Sequence, residues 1–428
     1  MLCHPDIKMI ELAGDTLRAS FPEVHPDAVC EITFQRTLRI PDDGRAYPLP
    51  AGLGSFPVCD VADYPVPEDW KRHGGVFLPL HQSEAMWLRF RAPGGYPFAV
   101  KVAAGKVNAV TGGAWSEDIP AAPQDYVVIP EQPWLDGFCV EQGVVRQFVA
   151  ASLGAGDTVE EQLTGQAEWG GLQFLFRPMK AEEYRIRFEL PRQASAEIDS
   201  MLVQLDAAIQ RLDAPFLGID SLLQSHERRM AEIGQMASKH MGVGAWDAVE
   251  CQVKRYTRTR RQIEAVRDSW QRRFRPYRKL DDSDLDYACP PRRAADQAHD
   301  PGMGLAAGGM IQQEIAQDPY GIGVWDTQHV TRCYVHLVNS ERFAAITGKQ
   351  PPMAPITARH YAAAGTPWFD YYLDGPALSG SSLLAGVQPL SASMQAKGQA
   401  LTGNEPMTVA WTTHLSPKKP KPVSEGVF

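Results

Sequence analysis

A helical stretch over residues 195–279 interrupts a chain that otherwise reads as short strands, and this break constrains the fold more than any other feature. Ile198, Leu202, Leu205, Ile209 and Leu212 recur at 4-3-4-3 spacing, the period of a packed helical seam. Ser195 is available as its N-cap, and Pro215 stops it. Ile219, Leu222, His226, Met230 and Ile233 repeat the pattern up to Gly242 and Gly244. A third run holds Trp246, Val249, Val253, Tyr256, Ile263, Val266, Trp270 and Phe274, and ends at Pro276. Such short breaks suit antiparallel neighbours, so a coiled-coil-like three-helix insert is expected over 193–280.

The insert carries uneven charge. Residues 254–279 hold eleven Lys/Arg against Glu264 and Asp268, whereas the whole chain is −9. Residues 195–253 hold nine acidic and four basic residues, so the third helix has an acidic surface to lie beside. Charge matching between helices accounts for this pattern, and so does a protein partner or self-association through Arg255, Arg258, Arg261 and Arg272. Arg260, Arg267 and Arg273 extend the set toward a phosphate-contacting surface. The acidic remainder of the chain weighs against nucleic acid as its main partner.

The flanks are β-rich. Phe98, Val100 and Val102 alternate up to Gly105 and pass into Val107 and Ala109, a hairpin pattern. Phe138–Glu141 and Val144–Val149 flank Gln142-Gly143 in the same way. Tyr126–Ile129, Leu172–Phe176 and Tyr334–Val338 have strand length, and Tyr184, Ile186, Phe188 and Leu190 alternate with charged residues. Thr158 with Glu161 forms a capping-box pattern, and Ser340 and Thr357 can cap helices that end at Gly348 and Gly365. The 36 glycines and 34 prolines favour turns. The expected fold class is α+β: a sandwich- or barrel-like β-rich domain over 1–192 carrying the inserted helices. A linker over 281–304, a mixed segment over 305–390 packing on the first domain, and an extended tail over 391–428 complete the expected organisation.

Seven cysteines without C-x-x-C spacing indicate neither a disulfide framework nor a zinc module. No apolar run reaches the length of a membrane span, and a cytoplasmic protein is expected. Asp326, His329, Cys333 and His336 are metal-ligand types, but a strand through 333–338 would put Cys333 and His336 on opposite faces. Two aromatic–acid clusters, Trp134 with Asp136 and Trp368 with Asp370 and Tyr371, suit a binding groove or a core anchor, with Arg146 near the first. The glycine turn Leu153-Gly154-Ala155-Gly156-Asp157-Thr158 opens a helix but already carries acids, so it reads as a capped turn.

The strings Ile40-Pro41-Asp42-Asp43-Gly44, Pro130-Glu131-Gln132-Pro133-Trp134-Leu135-Asp136-Gly137 and Val145-Arg146-Gln147-Phe148-Val149-Ala150, with Thr164-Gly165, resemble a family of large bacterial and fungal proteins of uncharacterised activity. Asp318-Pro319-Tyr320-Gly321, Arg332-Cys333-Tyr334-Val335-His336 and Pro367-Trp368-Phe369-Asp370-Tyr371-Tyr372 resemble the same family. The resemblance implies one composite body built from both flanks, and carries over no activity, catalytic residue or cofactor. The leading expectation is a soluble scaffold or binding protein. The alternative is a hydrolase-like or metal-dependent enzyme whose site gathers Asp136, Arg146, His329, Cys333, His336 and Asp370.

Overall fold

The computed structural model describes residues 9–210, 219–240, 249–250, 252–261, 302–351, 355–371, 376–409 and 412–415. The chain divides into two compact units: Met1–Met179 with Pro291–Phe428, and Lys180–Pro290 between them. Arg272 and most of the expected linker lie outside the described residues, and the end of that linker, Met303 and Gly304, already belongs to a strand.

The first unit is a large, mainly antiparallel sheet folded back on itself. One layer runs through Ile10–Ala13, Thr16–Ser20, Val29–Thr37 and Ala85–Arg91, then through Val144–Ser152 to Met303–Gln312. The other runs from Val127–Ile129 through Phe98–Ala104, Leu172–Pro178 and Thr331–Asn339 to Val76–Leu80. They join where Met303 pairs with Leu337. Their inner faces share a core: Phe34 meets Phe174 at 6.1 Å and Phe21 meets Phe98 at 5.9 Å. The strands Met303–Gln312 and Thr331–Asn339 are integral to these layers, each bordered by strands from the other flank, and are not an added segment packed outside.

Turn chemistry sets both expected hairpins. Gly105 and Lys106 both take positive φ, 55° and 62°, between Phe98–Ala104 and Val107–Asn108. Gly143 (φ 77°) turns Gly137–Glu141 into Val144–Ser152. A Cβ at Gly137 would sit 1.9 Å from the Arg146 carbonyl oxygen, so only glycine lets this hairpin close. Thr158 and Glu161 form the expected capping box, with left-handed Gly165 ending the helix. The carboxylate of Glu161 also accepts Gly154 N–H and Gly156 N–H at 2.8 Å each, which satisfies the glycine turn from within.

Irregular segments are tied to the sheet by glutamine amides. Gln147 Oε1 accepts Ile40 N–H at 2.8 Å while its Nε2 donates to the Leu38 carbonyl at 2.9 Å. Gln313 accepts Asp136 N–H, Gln132 accepts Ala316 N–H, Gln124 accepts Asp318 N–H and Gln173 accepts Lys106 N–H. Each also donates to a carbonyl or carboxyl oxygen, so one side chain reproduces one rung of a ladder.

Four expectations change. Residues 391–409 and 412–415 are not an extended tail. Leu390–Ala396 is helical, with Leu390 and Met394 packed against Ala85, Val149 and Ala306, and Ser391 donates to Asp42 at 2.6 Å. Thr412–Leu415 pairs in parallel with Trp368–Tyr371. Residues 184–190, which alternate like a strand, are helical: Ala181–Tyr184 leads through a π-turn at Arg185–Glu189 into Leu190–Gln210. Ion pairs at helical spacing, Arg185–Glu182 and Arg187–Glu183, and the Tyr184–Phe188 stack at 5.2 Å offset the alternation. Pro191 cannot donate to the Arg187 carbonyl and crowds it, which the wider π-turn relieves. Ser195 is therefore inside a helix, not its cap, and the cap of Ser340–Thr347 is Asn339, one residue before the expected Ser340.

The second unit is a helical bundle. Ile198, Leu202 and Leu205 pack with Leu223, Ile233, Val249 and Tyr256, drawing all three runs into one core. Interhelical ion pairs Arg229–Glu197, Arg255–Asp199 and Arg260–Glu227 realise the charge matching. No helix among the described residues is long and apolar enough to cross a membrane.

Replacing Gln147 with alanine strands the Ile40 N–H and the Leu38 carbonyl in the core. We expect a loss of roughly 2–5 kcal/mol in urea unfolding. The same change at the more accessible Gln162, which bridges both backbone groups of Gln388, should cost less than about 1 kcal/mol.

Candidate functional site

The two aromatic–acid clusters reach the same small sheet. Trp368–Tyr371 pairs antiparallel with Leu49–Pro50, through Trp368↔Pro50 and Phe369↔Leu49. Successive strand residues face opposite sides, so Trp368 and Phe369 open onto different cavities.

On the Trp368 side lies a cavity of about 650 Å³. Its apolar wall is built from Leu38, Ile356, Tyr361, Trp368 and Met407. Thr357 caps the helix Ala358–Ala364 and thereby places Tyr361, whose hydroxyl accepts Ala51 N–H and donates to the Pro367 carbonyl. The Tyr361 and Trp368 rings lie 5.3 Å apart.

Arg39 and Glu405 are the charged side chains among the lining residues of this cavity. Gln147 grips the carbonyl before Arg39 and the N–H after it, which fixes the peptide units on both sides. The guanidinium donates through Nη2 to the Thr402 carbonyl, while its Nε is buried without a partner. Burial presses the Arg39 pKa down, and Glu405 offsets part of that effect. Arg39 stays protonated in any ordinary buffer, so a half-buried cation lines a largely apolar space. Ser83, at the rim, is held at φ 64° by its N–H to the Ala150 carbonyl and by the neighbouring Glu84–Arg36 bridge.

On the Phe369 side is a second cavity, of about 110 Å³, lined by Leu49, Pro50, Ala51, Gly52, Trp87, Trp134, Asp136 and Phe369. It joins the first expected cluster, Trp134 and Asp136, to a ring of the second. A Cβ at Gly52 would come within 3.0 Å of Trp87 Cζ2, so the glycine leaves room beside the indole. Asp136 is buried; its Oδ2 accepts Gln313 Nε2 at 2.8 Å. Burial raises its pKa to about 8, against the smaller opposing effect of that hydrogen bond. Burial thus favours its neutral form.

The other expected site residues are engaged separately. Arg146 bridges Asp42 at 3.0 Å and the Gly308 carbonyl at 3.1 Å, a structural tie. His329 pairs with Asp326 at 2.8 Å. Cys333 is buried, and burial lifts its pKa to about 12, with Asp60 adding to the effect. His336 points to the other face of the strand, bonded to the Gly74 carbonyl and stacked on Trp70 at 4.5 Å. Burial drives its pKa to about 3. His336 lines a third cavity, of about 340 Å³, with His73 and Trp169. No group of three or more metal-ligating side chains occurs among the described residues. In the bundle, Arg255 is paired with Asp199, whereas Arg258 and Arg261 are exposed. Nothing in the sequence around Arg39 and Trp87 distinguishes them from ordinary strand residues, and Phe369 stands there only as a neighbour of Trp368.

Compared with known protein families, with curated proteins and with solved structures, the chain gives no match.

The two buried groups set opposite pH trends. The folded pKa of Asp136, about 8 against 3.8, means that its contribution is complete below about pH 4 and is lost as pH rises through 8. Each pH step of one between those two values is worth roughly 1.4 kcal/mol, so the loss amounts to several kcal/mol. Asp136→Asn should therefore be more stable than the parent at pH 8, with a flatter profile between pH 4 and 8. His336 acts in reverse. Its pKa of about 3 against 6.5 gives stability present above pH 6.5 and lost as pH falls toward 3, so His336→Gln should flatten the acid side. Thermal melts across pH 3–9 read both.

Proposed function

We propose that this chain is a binding protein whose β-rich body takes a small amphipathic anion, a carboxylate or phosphate monoester with an apolar portion, in the Arg39 cavity. The observation that supports this reading is the half-buried Arg39 guanidinium among the residues lining the 650 Å³ space. An anionic oxygen beside the guanidinium would gain a charge-assisted hydrogen bond in competition with Glu405, which lines the same space. Leu38, Ile356, Tyr361, Trp368 and Met407 offer the apolar portion a dry surface. The recognition reading also draws support from the separate engagement of Asp136, Arg146, His329 and His336, each with its own partners.

The test is calorimetric titration with straight-chain carboxylates and alkyl phosphates of increasing length. Affinity should grow with chain length until the cavity is filled. Arg39→Gln should weaken binding by about 10–100-fold, the range of a charge-assisted hydrogen bond, with the melting temperature within a few degrees of the parent. Equal binding by Arg39→Gln, or no anion bound by the parent, defeats the proposal.

A second part concerns the helical unit, which we propose recognises a protein partner or a second copy of itself. Val203 is 66% exposed on the helix Leu190–Gln210, and Arg258 and Arg261 are exposed on the third helix. Light scattering at rising concentration should show a mass increase that Val203→Glu reduces. A mass independent of concentration in both proteins counts against self-association.

A further inference from the structure

We propose that the cavity bounded by Trp87, Trp134 and Phe369 is a binding site for a small alkylammonium cation, with Asp136 as its counter-charge. Three aromatic rings line about 110 Å³, a space that suits a group the size of tetramethylammonium. Aromatic faces attract cations electrostatically, and the attraction grows where water is excluded. Asp136 is the one ionisable side chain among the lining residues. The hydrogen bonds of its backbone N–H and Oδ2 both go to the neutral amide of Gln313, and its carbonyl accepts Phe148 N–H. Of the charged residues on the adjoining strands, Arg146 is committed to Asp42, and Arg89 is exposed on the strand opposite Trp134.

A buried carboxyl with no positive neighbour has two ways to avoid an uncompensated charge: hold a proton or meet a cation. Without a guest it holds the proton, in line with its raised pKa. A cation entering the aromatic space supplies the second way. Asp136 then ionises, its O–H bond breaks, and the proton leaves to solvent as the cation takes its place. Binding is therefore an exchange of one proton for one alkylammonium ion.

This site lies across the small sheet from the Arg39 cavity and is independent of the function proposed there. The experiment is calorimetric titration of the full chain with tetramethylammonium chloride at constant ionic strength, in buffers of different ionisation enthalpy. We expect one proton released per cation bound below pH 8, and affinity rising about tenfold per pH unit up to that point. Phe369→Leu keeps the space apolar and should weaken binding by severalfold to about tenfold. Asp136→Asn, which retains an acceptor for Gln313, should abolish the proton release and the binding. The neutral tert-butanol should bind much more weakly than the cation. The proposal is overturned if tert-butanol binds as well as tetramethylammonium, if Asp136→Asn or Phe369→Leu binds the cation unchanged, or if the parent takes up no cation.

Discussion

The geometry of this body depends on side-chain amides that stand in for backbone. Gln147 is the pivotal one. It lies within the strand Val144–Ser152 and reaches across to residues 38 and 40, whose peptide groups have lost strand partners where the chain leaves Val29–Thr37. A buried peptide group without a partner costs about 1–3 kcal/mol, so the chain could not bend away from the sheet inside the core without such a substitute. Because Gln147 holds both neighbours of Arg39, it also decides where the guanidinium goes. Gln313 does the same for Asp136, gripping its N–H and its carboxyl together. The two groups that give the cavities their chemistry are therefore each aimed by a glutamine.

How much of this is legible in the sequence depends on the range of the interaction. Local physics is readable. Positive-φ turns at Gly105 and Gly143, the Thr158 capping box, the Gly365 stop and the 3.5-residue seam through Ile198, Leu202 and Leu205 are written in neighbouring residues. The β-rich body with its helical insert follows from them. Residues 184–190 mislead because their alternation is real, but they are helical, with ion pairs and a ring stack at helical spacing. The glutamine rungs are invisible, since Gln ordinarily reads as solvent-facing and each rung spans a long sequence separation. Arg39 is invisible for the same reason: its significance comes from Gln147 and Thr402, far along the chain. The aromatic–acid strings stand out in the sequence, but only the fold divides Trp368 from Phe369.

That division is a consequence of strand pleating. One short strand, Trp368–Tyr371, supplies an aromatic wall to the cavity that Arg39 lines on one side and to the one that Asp136 lines on the other. The polarity of each comes from the first layer of the large sheet, Arg39 from the end of Val29–Thr37 and Asp136 from the hairpin at Gly137–Glu141. Moving the strand's register by one residue would exchange the two rings and undo both environments at once.

The helical unit sits in the chain between strands that belong to one sheet. Val144–Ser152 finds its long partner, Met303–Gln312, only about 150 residues later. At ribosomal speeds of 5–20 residues per second, that interval is roughly 8–30 s. During it the nascent first flank presents an unzipped hydrophobic seam to the cell, while the intervening helices, whose contacts are mostly local, have time to assemble. Vectorial synthesis thus makes the body the last part to close.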